Sequence, residues 1–244
     1  MSDRTGDLIG YGAMLACAPL LLAQGLIVRG TTPRLPEPDG AREGRIGAGQ
    51  PLRLLILGDS AAAGVGVTSQ DHALSGQLQR GLAPHFDLEW RLFATTGDRT
   101  ADALRRLEAA PDLRCDVVLT SLGVNDVTAL RSTSAFLDGQ RRLIARLRAV
   151  HGAQLCLVSG LPPVHAFPAL PQPLRWALGR HARRFDTALA AWCATQPDCE
   201  HLAFGELPEA SMMASDGFHP GAPIYAQWAA HVATRIRAYY ARQR

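Results

Sequence analysis

Residues 52–60 have the sequence LRLLILGDS, an apolar run that ends abruptly in small and polar residues. The run has the length and the Leu/Ile content of a buried strand, and the Gly-Asp-Ser that follows is typical of a turn. The same alternation continues along the chain. Strand-like runs occur at 52–57, 88–93, 115–122, 153–159 and 200–204. Helix-like stretches follow them near 70–82, 99–109, 133–150, 174–195 and 221–241.

Strands that alternate with helices predict an α/β fold, with a five-stranded parallel sheet covered by helices on both faces. The stretch 133–150 is the clearest helix, because Phe136 and Leu143 share one apolar face with Ile144 and Leu147. In sheets of this kind, ligands bind beyond the carboxyl ends of the strands. Ser60, Gly97 and Asn125 all fall there.

Composition limits the classes of function. The chain has 244 residues, 47% of them hydrophobic, which suffices for one substantial core. Its 25 basic and 22 acidic residues are spread along the sequence, so a nucleic-acid partner is not expected. The five cysteines lack metal-ligand spacing and do not predict a disulfide scaffold, although Cys193 and Cys199 could form a bridge if the protein is exported.

The N-terminal region, 1–50, is expected to hold an apolar helix at 8–28 and a Pro/Gly-rich linker before a single domain at 51–244. Leu8–Val28 contains no charge and is long enough to cross a bilayer as a helix. Three interpretations are open: a membrane anchor, a helix packed on the domain and kinked at Pro19, and a cleaved signal peptide. The leading segment lacks the basic cluster of a signal peptide. The arginines that follow the apolar run are Arg29, Arg34, Arg42 and Arg45. They favour a membrane-associated protein whose domain lies in the cytoplasm, with a soluble cytoplasmic or an exported protein as alternatives.

Four short motifs carry the candidate chemistry. They are Gly58-Asp59-Ser60, Thr96 to Thr100 (TGDRT), Gly123 to Asp126 (GVND) and Asp216 to Pro220 (DGFHP). A serine hydroxyl becomes a strong nucleophile when an imidazole takes its proton, and a carboxylate that fixes the imidazole tautomer assists this step. The first and last motifs supply the three groups, Ser60, His219 and Asp216.

In this order, the four motifs resemble those of the SGNH hydrolase superfamily, the GDSL esterases and lipases, over about residues 52–240. The resemblance implies a flavodoxin-like three-layer α/β/α sandwich. It also implies a catalytic triad of Ser60, His219 and Asp216, and an oxyanion hole formed by Ser60, Gly97 and Asn125. No metal or organic cofactor is implied.

The resemblance implies a serine esterase that forms an acyl-enzyme intermediate on a small-molecule ester. It leaves open lysophospholipase-like, short-chain and carbohydrate acyl ester substrates, and it does not indicate an oligomeric state. The alternative function is a non-catalytic ligand-binding module on the same fold. A nucleotide-binding domain is a weaker rival, because Gly64-Val65-Gly66 lacks the lysine or third glycine of a phosphate loop. The proline-rich segment 161–175 is expected either to wall the substrate site or simply to pack on the domain.

Overall fold

The computed structural model describes residues 17–110, 112–204 and 209–243. Within these ranges it contains one six-stranded sheet with helices on both sides. The strands are β1 (Glu43–Ile46), β2 (Gln50–Gly58), β3 (Phe86–Ala94), β4 (Val117–Ser121), β5 (Leu155–Ser159) and β6 (Cys199–Leu202). The α-helices are α1 (Ala18–Thr31), α2 (Ser60–Ala63), α3 (Leu74–Leu82), α4 (Thr100–Glu108), α5 (Val124–Thr128), α6 (Thr133–Ala149), α7 (Leu174–Cys193) and α8 (Ala222–Ala241).

The sheet confirms the predicted parallel core and adds an edge strand. Its strand order is β1-β3-β2-β4-β5-β6, and β2 to β6 all run parallel. The additional strand, β1, pairs antiparallel with β3 and lies inside the segment expected to be a linker. All four β1 residues are exposed, so β1 has no apolar alternation from which it could be recognised. Its partner strand, rather than a buried face, holds it in place.

The core is divided by the sheet into two layers, because successive side chains of a strand point to opposite faces. Leu55 and Leu57 of β2 pack with α4, α6 and α7. Leu54 and Ile56 of the same strand pack with α3 and α8. This arrangement confirms the three-layer α/β/α architecture.

Helix α3 begins four residues later than predicted, at Leu74 rather than near 70. The reason is the side chain of Gln70, which is buried. Gln70 Nε2 donates to the Ala63 carbonyl at 2.9 Å, and Gln70 Oε1 accepts from Ser75 Oγ at 2.6 Å. These contacts hold residues 70–73 as a turn and connect it to α2.

Helix α1 lies against α7, and residues 8–16 of the predicted apolar helix fall outside the described residues. Pro19 occupies the first turn of α1, where its missing N–H leaves no helical hydrogen bond unmade, so it does not kink the described helix. Gln24 Nε2 donates to the Gln172 carbonyl at 2.7 Å, and Gln24 Oε1 accepts from Leu174 N–H at 3.0 Å. No helix among the described residues has the length and apolar content required to cross a membrane.

Cys193 and Cys199 are free thiols whose Sγ atoms lie 3.8 Å apart. Cys193 ends α7 and Cys199 begins β6, so the short turn between helix and strand brings them together.

Candidate active site

Ser60 lies at the carboxyl end of β2, where the strand gives way directly to α2. The turn needs Gly58, because a Cβ there would lie 2.5 Å from the Ser121 carbonyl oxygen. Asp59 caps the helix through its Oδ1, which accepts from Ala61 N–H at 3.1 Å. Ser60 is the first helical residue, so its own N–H has no partner within the helix.

The Asp216 carboxylate organises the loop that carries His219. Asp216 Oδ1 accepts from the backbone N–H groups of Phe218 at 2.9 Å and of His219 at 3.0 Å. Asp216 Oδ2 lies 2.5 Å from His219 Nδ1. Burial alone would raise the pKa of Asp216, but these three hydrogen bonds outweigh it and hold the pKa below its usual value. The carboxylate therefore stays ionised and fixes the imidazole ring.

The structure brings the predicted nucleophile and base together across the chain. His219 Nε2 lies 2.9 Å from Ser60 Oγ, although 159 positions separate the two residues. Because the ionised Asp216 faces Nδ1, the neutral imidazole carries its hydrogen on Nδ1 and presents the Nε2 lone pair to the serine. Ser60, His219 and Asp216 thus form one hydrogen-bonded series.

Asn125 lies beside this series, in the first turn of α5. The turn from β4 into α5 passes through Gly123, whose φ of +132° is accessible to glycine but strained for other residues. Asn125 Nδ2 donates to the Asp98 carbonyl at 3.0 Å and to Asp59 Oδ2 at 3.2 Å. Its side chain lines the same cavity as Ser60 and His219.

Gly97 occupies the turn after β3, in a left-handed conformation with φ of +88°. A Cβ at Gly97 would meet no atom within 4 Å, so the space beside it is open. Among the described residues, no acceptor takes the Gly97 N–H. Gly97 is not one of the residues that line the cavity, but its neighbour Asp98 contacts Asn125 directly.

Two buried carboxylates support the site in ways that the motifs did not reveal. Burial raises the pKa of Asp59 to about 7, and the nearby Asp126 and Asp98 add to the effect, while Ala61 N–H and His219 oppose it. Asp126 Oδ2 accepts from Thr100 N–H and from Thr100 Oγ1, both at 2.9 Å, and so joins α5 to the start of α4. Asp59 lies in the first motif and Asp126 in the third, but sequence alone does not show which groups they face.

Ser60 and His219 line an apolar cavity of about 70 Å³. The segment 161–175 has both of the roles that the sequence left open. Pro162, Pro163 and Phe167 wall the cavity, while Leu170 and Leu174 are buried in the core. The other apolar lining residues are Ala61, Leu122, Val124, Phe204, Met213, Phe218, Pro220 and Ile224.

A larger cavity of about 440 Å³ lies at the opposite end of the sheet, where β2, β3 and β4 begin. It is lined by ion pairs that satisfy one another, Arg45 with Asp87 and Arg53 with Asp116. Its described lining includes no serine, cysteine or histidine. Within the described part of the chain, no group of three or more His, Cys, Asp or Glu side chains is placed to hold a metal ion.

Comparison with known proteins agrees with the fold. Residues 56–227 match the model of the GDSL-like lipase/acylhydrolase family. The match covers more than half of the chain and includes all four motifs. The chain therefore belongs to the GDSL-like lipase/acylhydrolase family.

A curated relative and two solved structures illustrate the similarity. The chain is 31% identical to a GDSL-like esterase of Mycobacterium tuberculosis, over 72% of this chain and 58% of the relative. It therefore spans little more than half the length of that relative. The psychrotrophic esterase EstA of Pseudoalteromonas superposes with a TM-score of 0.60 at 19% identity, over 77% of this chain and 98% of that one. A carbohydrate acetylesterase of Sinorhizobium meliloti gives 0.61 at 17% identity, over 77% and 99%. At these identities the two structures show a shared fold.

Proposed function

We propose that this protein is a serine esterase that hydrolyses small carboxylic esters through an acyl-enzyme intermediate. The observation that carries the proposal is the hydrogen-bonded series of Ser60, His219 and Asp216 at the mouth of an apolar cavity. Family membership supports it, as does the name of the M. tuberculosis relative.

In the proposed reaction, His219 Nε2 takes the proton of Ser60 as Oγ attacks the carbonyl carbon of the ester. The resulting imidazolium is stabilised by Asp216, which remains ionised. The tetrahedral intermediate then collapses, its bond to the alcohol oxygen breaks, and His219 returns the proton to the leaving alcohol. Water repeats the sequence on the acyl-enzyme, releases the carboxylic acid and regenerates Ser60.

Negative charge develops on the carbonyl oxygen during the attack, and three groups are proposed to stabilise it. They are the backbone N–H groups of Ser60 and Gly97 and the side-chain amide of Asn125. The support for Gly97 is its N–H, which has no acceptor within the described chain, and the open space beside it. One donor of this kind is typically worth about 2.7–4 kcal/mol of barrier.

The size of the cavity favours short acyl groups. A single buried water requires about 10–15 Å³ of such space, so a cavity of about 70 Å³ accommodates roughly five non-hydrogen atoms. Its apolar walls suit an acyl chain better than a sugar. We therefore propose acetyl to butyryl esters as the preferred acyl donors. The alcohol is left to experiment, and the acetylated carbohydrates implied by the name of the S. meliloti neighbour are one class to include.

A panel of p-nitrophenyl esters from acetate to palmitate tests both parts of the proposal. The parent should hydrolyse the short esters with the highest kcat/KM, and Ser60→Ala should abolish the activity. Ser134→Ala is the matched control, because Ser134 is exposed on α6, away from the cavity, and should leave the rate unchanged. A parent that binds these esters without hydrolysing them would instead be a binding module on the same fold.

A further inference from the structure

Helix α1 has an unusual distribution of side chains. On its inner side, the Gln24 amide forms hydrogen bonds with the backbone of Gln172 and of Leu174. Leu21 and Val28, also on this side, pack on the core of the domain. Its outer side carries large apolar residues, and we call the set Leu20, Leu22, Leu26 and Ile27 the outer face of α1. A helix that only covered a domain in water would carry polar residues on its outer side.

The outer face holds most of the large apolar side chains that are exposed in the described part of the chain. Leu20, Leu22, Leu26 and Ile27 are 50%, 64%, 74% and 62% exposed. They account for four of the seven large apolar side chains that are exposed among the described residues. Trp176, a fifth, lies in the first turn of α7, two residues beyond the Leu174 N–H that Gln24 binds. The apolar surface is therefore concentrated around one helix, as in an interaction site.

Charge and sequence next to the outer face identify the partner. Arg29, in the last turn of α1, and Arg34, three residues beyond its end, are both exposed. Upstream, residues 8–16 continue the same uncharged apolar sequence. An apolar helix face flanked by arginines matches the layers of a bilayer surface, in which acyl chains lie beneath anionic headgroups.

We propose that the outer face of α1 docks on a bilayer that contains anionic phospholipids, with the helix lying in the plane of the membrane surface. The in-plane orientation follows from the inner side of α1, which is packed on α7 and cannot be surrounded by lipid at the same time. Docking would leave the active site assembled, because α1 is attached at the end of the segment that walls the cavity and contributes no residue to the cavity itself.

Vesicle co-sedimentation of the full chain tests the proposal without reference to hydrolysis. The parent should bind vesicles of phosphatidylcholine with phosphatidylglycerol more tightly than vesicles of phosphatidylcholine alone. Leu22→Glu and Leu26→Glu should each weaken partitioning by at least about tenfold, because each removes a leucine from the apolar boundary and adds a charge there. Arg29→Gln and Arg34→Gln should each weaken binding to the anionic vesicles by roughly fivefold.

Leu130→Glu is the matched control, because Leu130 is 67% exposed and lies outside α1, two residues after the end of α5. It introduces the same charge and should bind vesicles as the parent does. Hydrolysis of a soluble short-chain ester should be equal in all of these variants, which separates membrane docking from the proposed catalytic function. The proposal is overturned if the parent does not bind, or if the two α1 glutamate variants bind as well as Leu130→Glu. It is also overturned if light scattering shows a dimer that Leu26→Glu converts to a monomer, because the outer face would then be an interface between copies of the chain.

Discussion

The Asn125 side-chain amide donates to the carboxylate of Asp59, the residue before Ser60, with Nδ2 and Oδ2 3.2 Å apart. The same Nδ2 donates to the Asp98 carbonyl at 3.0 Å. These two acceptors fix the orientation of the amide, because its oxygen would be repelled by both. The Nδ2 end, rather than the oxygen, therefore points toward Ser60. An oxyanion formed at Ser60 would meet an amide that is already oriented. The oxyanion would compete with Asp59 for one of the two hydrogens on Asn125 Nδ2.

The buried carboxyl of Asp59 predicts a pH dependence of stability. Because burial raises its pKa to about 7 in the folded protein, the folded chain keeps a proton between about pH 4 and pH 7 that the unfolded chain releases. The contribution of Asp59 to the free energy of unfolding is thus fully present below about pH 4 and is lost as the pH rises toward about 7. Asp59→Asn is neutral throughout, so its stability relative to the parent should increase over this window. Urea unfolding at several pH values measures the difference, and a difference independent of pH would contradict the assignment.

Asn125→Ala should lower kcat for a short ester by about 10²–10³-fold, with a smaller effect on KM, because the lost hydrogen bond strengthens as the carbonyl becomes an oxyanion. Steady-state kinetics on p-nitrophenyl acetate provide the measurement. Thr128→Ala, an exposed change in the same short helix, should behave as the parent does. If Asn125→Ala raised KM alone, Asn125 would bind the substrate rather than the oxyanion.

Asp216→Asn should lower kcat by about 10²–10⁴-fold, by reversing the imidazole tautomer. The amide oxygen can still accept from the N–H groups of Phe218 and His219, which leaves the amide NH₂ facing His219 Nδ1. His219 would then carry its hydrogen on Nε2 and donate to Ser60 instead of accepting its proton. Asp138→Asn, on the exposed surface of α6, is the control for loss of a carboxylate. Near-parental activity in Asp216→Asn would show that another group orients the ring.

Tyr225→Phe should lower the free energy of unfolding by about 1–3 kcal/mol, because the hydroxyl is buried and its loss leaves a carbonyl without its partner. Tyr225 Oη donates to the Val65 carbonyl at 2.7 Å, and Val65 N–H donates to the Ser60 carbonyl at 3.0 Å. The hydrogen bond thus fastens α8 to the turn that carries Ser60. Urea unfolding should show almost no change for Tyr239→Phe, a partly exposed tyrosine of the same helix. Equal stability of the two variants would mean that the Val65 carbonyl finds another donor.

The parallel strands and the long helices could be predicted from sequence because their residues are buried with regular periodicity. Leu54 to Leu57 alternate between two apolar layers, and Phe136 and Leu143 lie on the buried face of α6. Strand β1 could not be predicted in this way, because its four side chains are exposed and it is held to β3 by backbone hydrogen bonds and surface ion pairs rather than by an apolar face.

The motifs predicted that Ser60, His219 and Asp216 share one site, because each lies close to the end of a strand or the start of a helix and the sequence marks these positions. The environment of Asp59 was beyond such reasoning. Its burial and its contact with Asn125 depend on how two strand ends 66 positions apart are juxtaposed. The same limit applies to Gly97. Its left-handed turn suits the predicted role as an oxyanion-hole donor, but Gly97 is not among the residues that line the cavity, and the sequence does not show this.

Covalent labelling with a fluorophosphonate tests the assignment of Ser60 as the nucleophile most directly. A fluorophosphonate carries an electrophilic phosphorus with a fluoride leaving group, so it reacts with a serine hydroxyl whose proton a neighbouring imidazole can take. The account predicts a single adduct on Ser60, identified by mass spectrometry of the digested protein. Labelling should be absent in Ser60→Ala and strongly slowed in His219→Ala, because the hydroxyl then has no base. An adduct on another residue, or undiminished labelling of Ser60→Ala, would contradict the account.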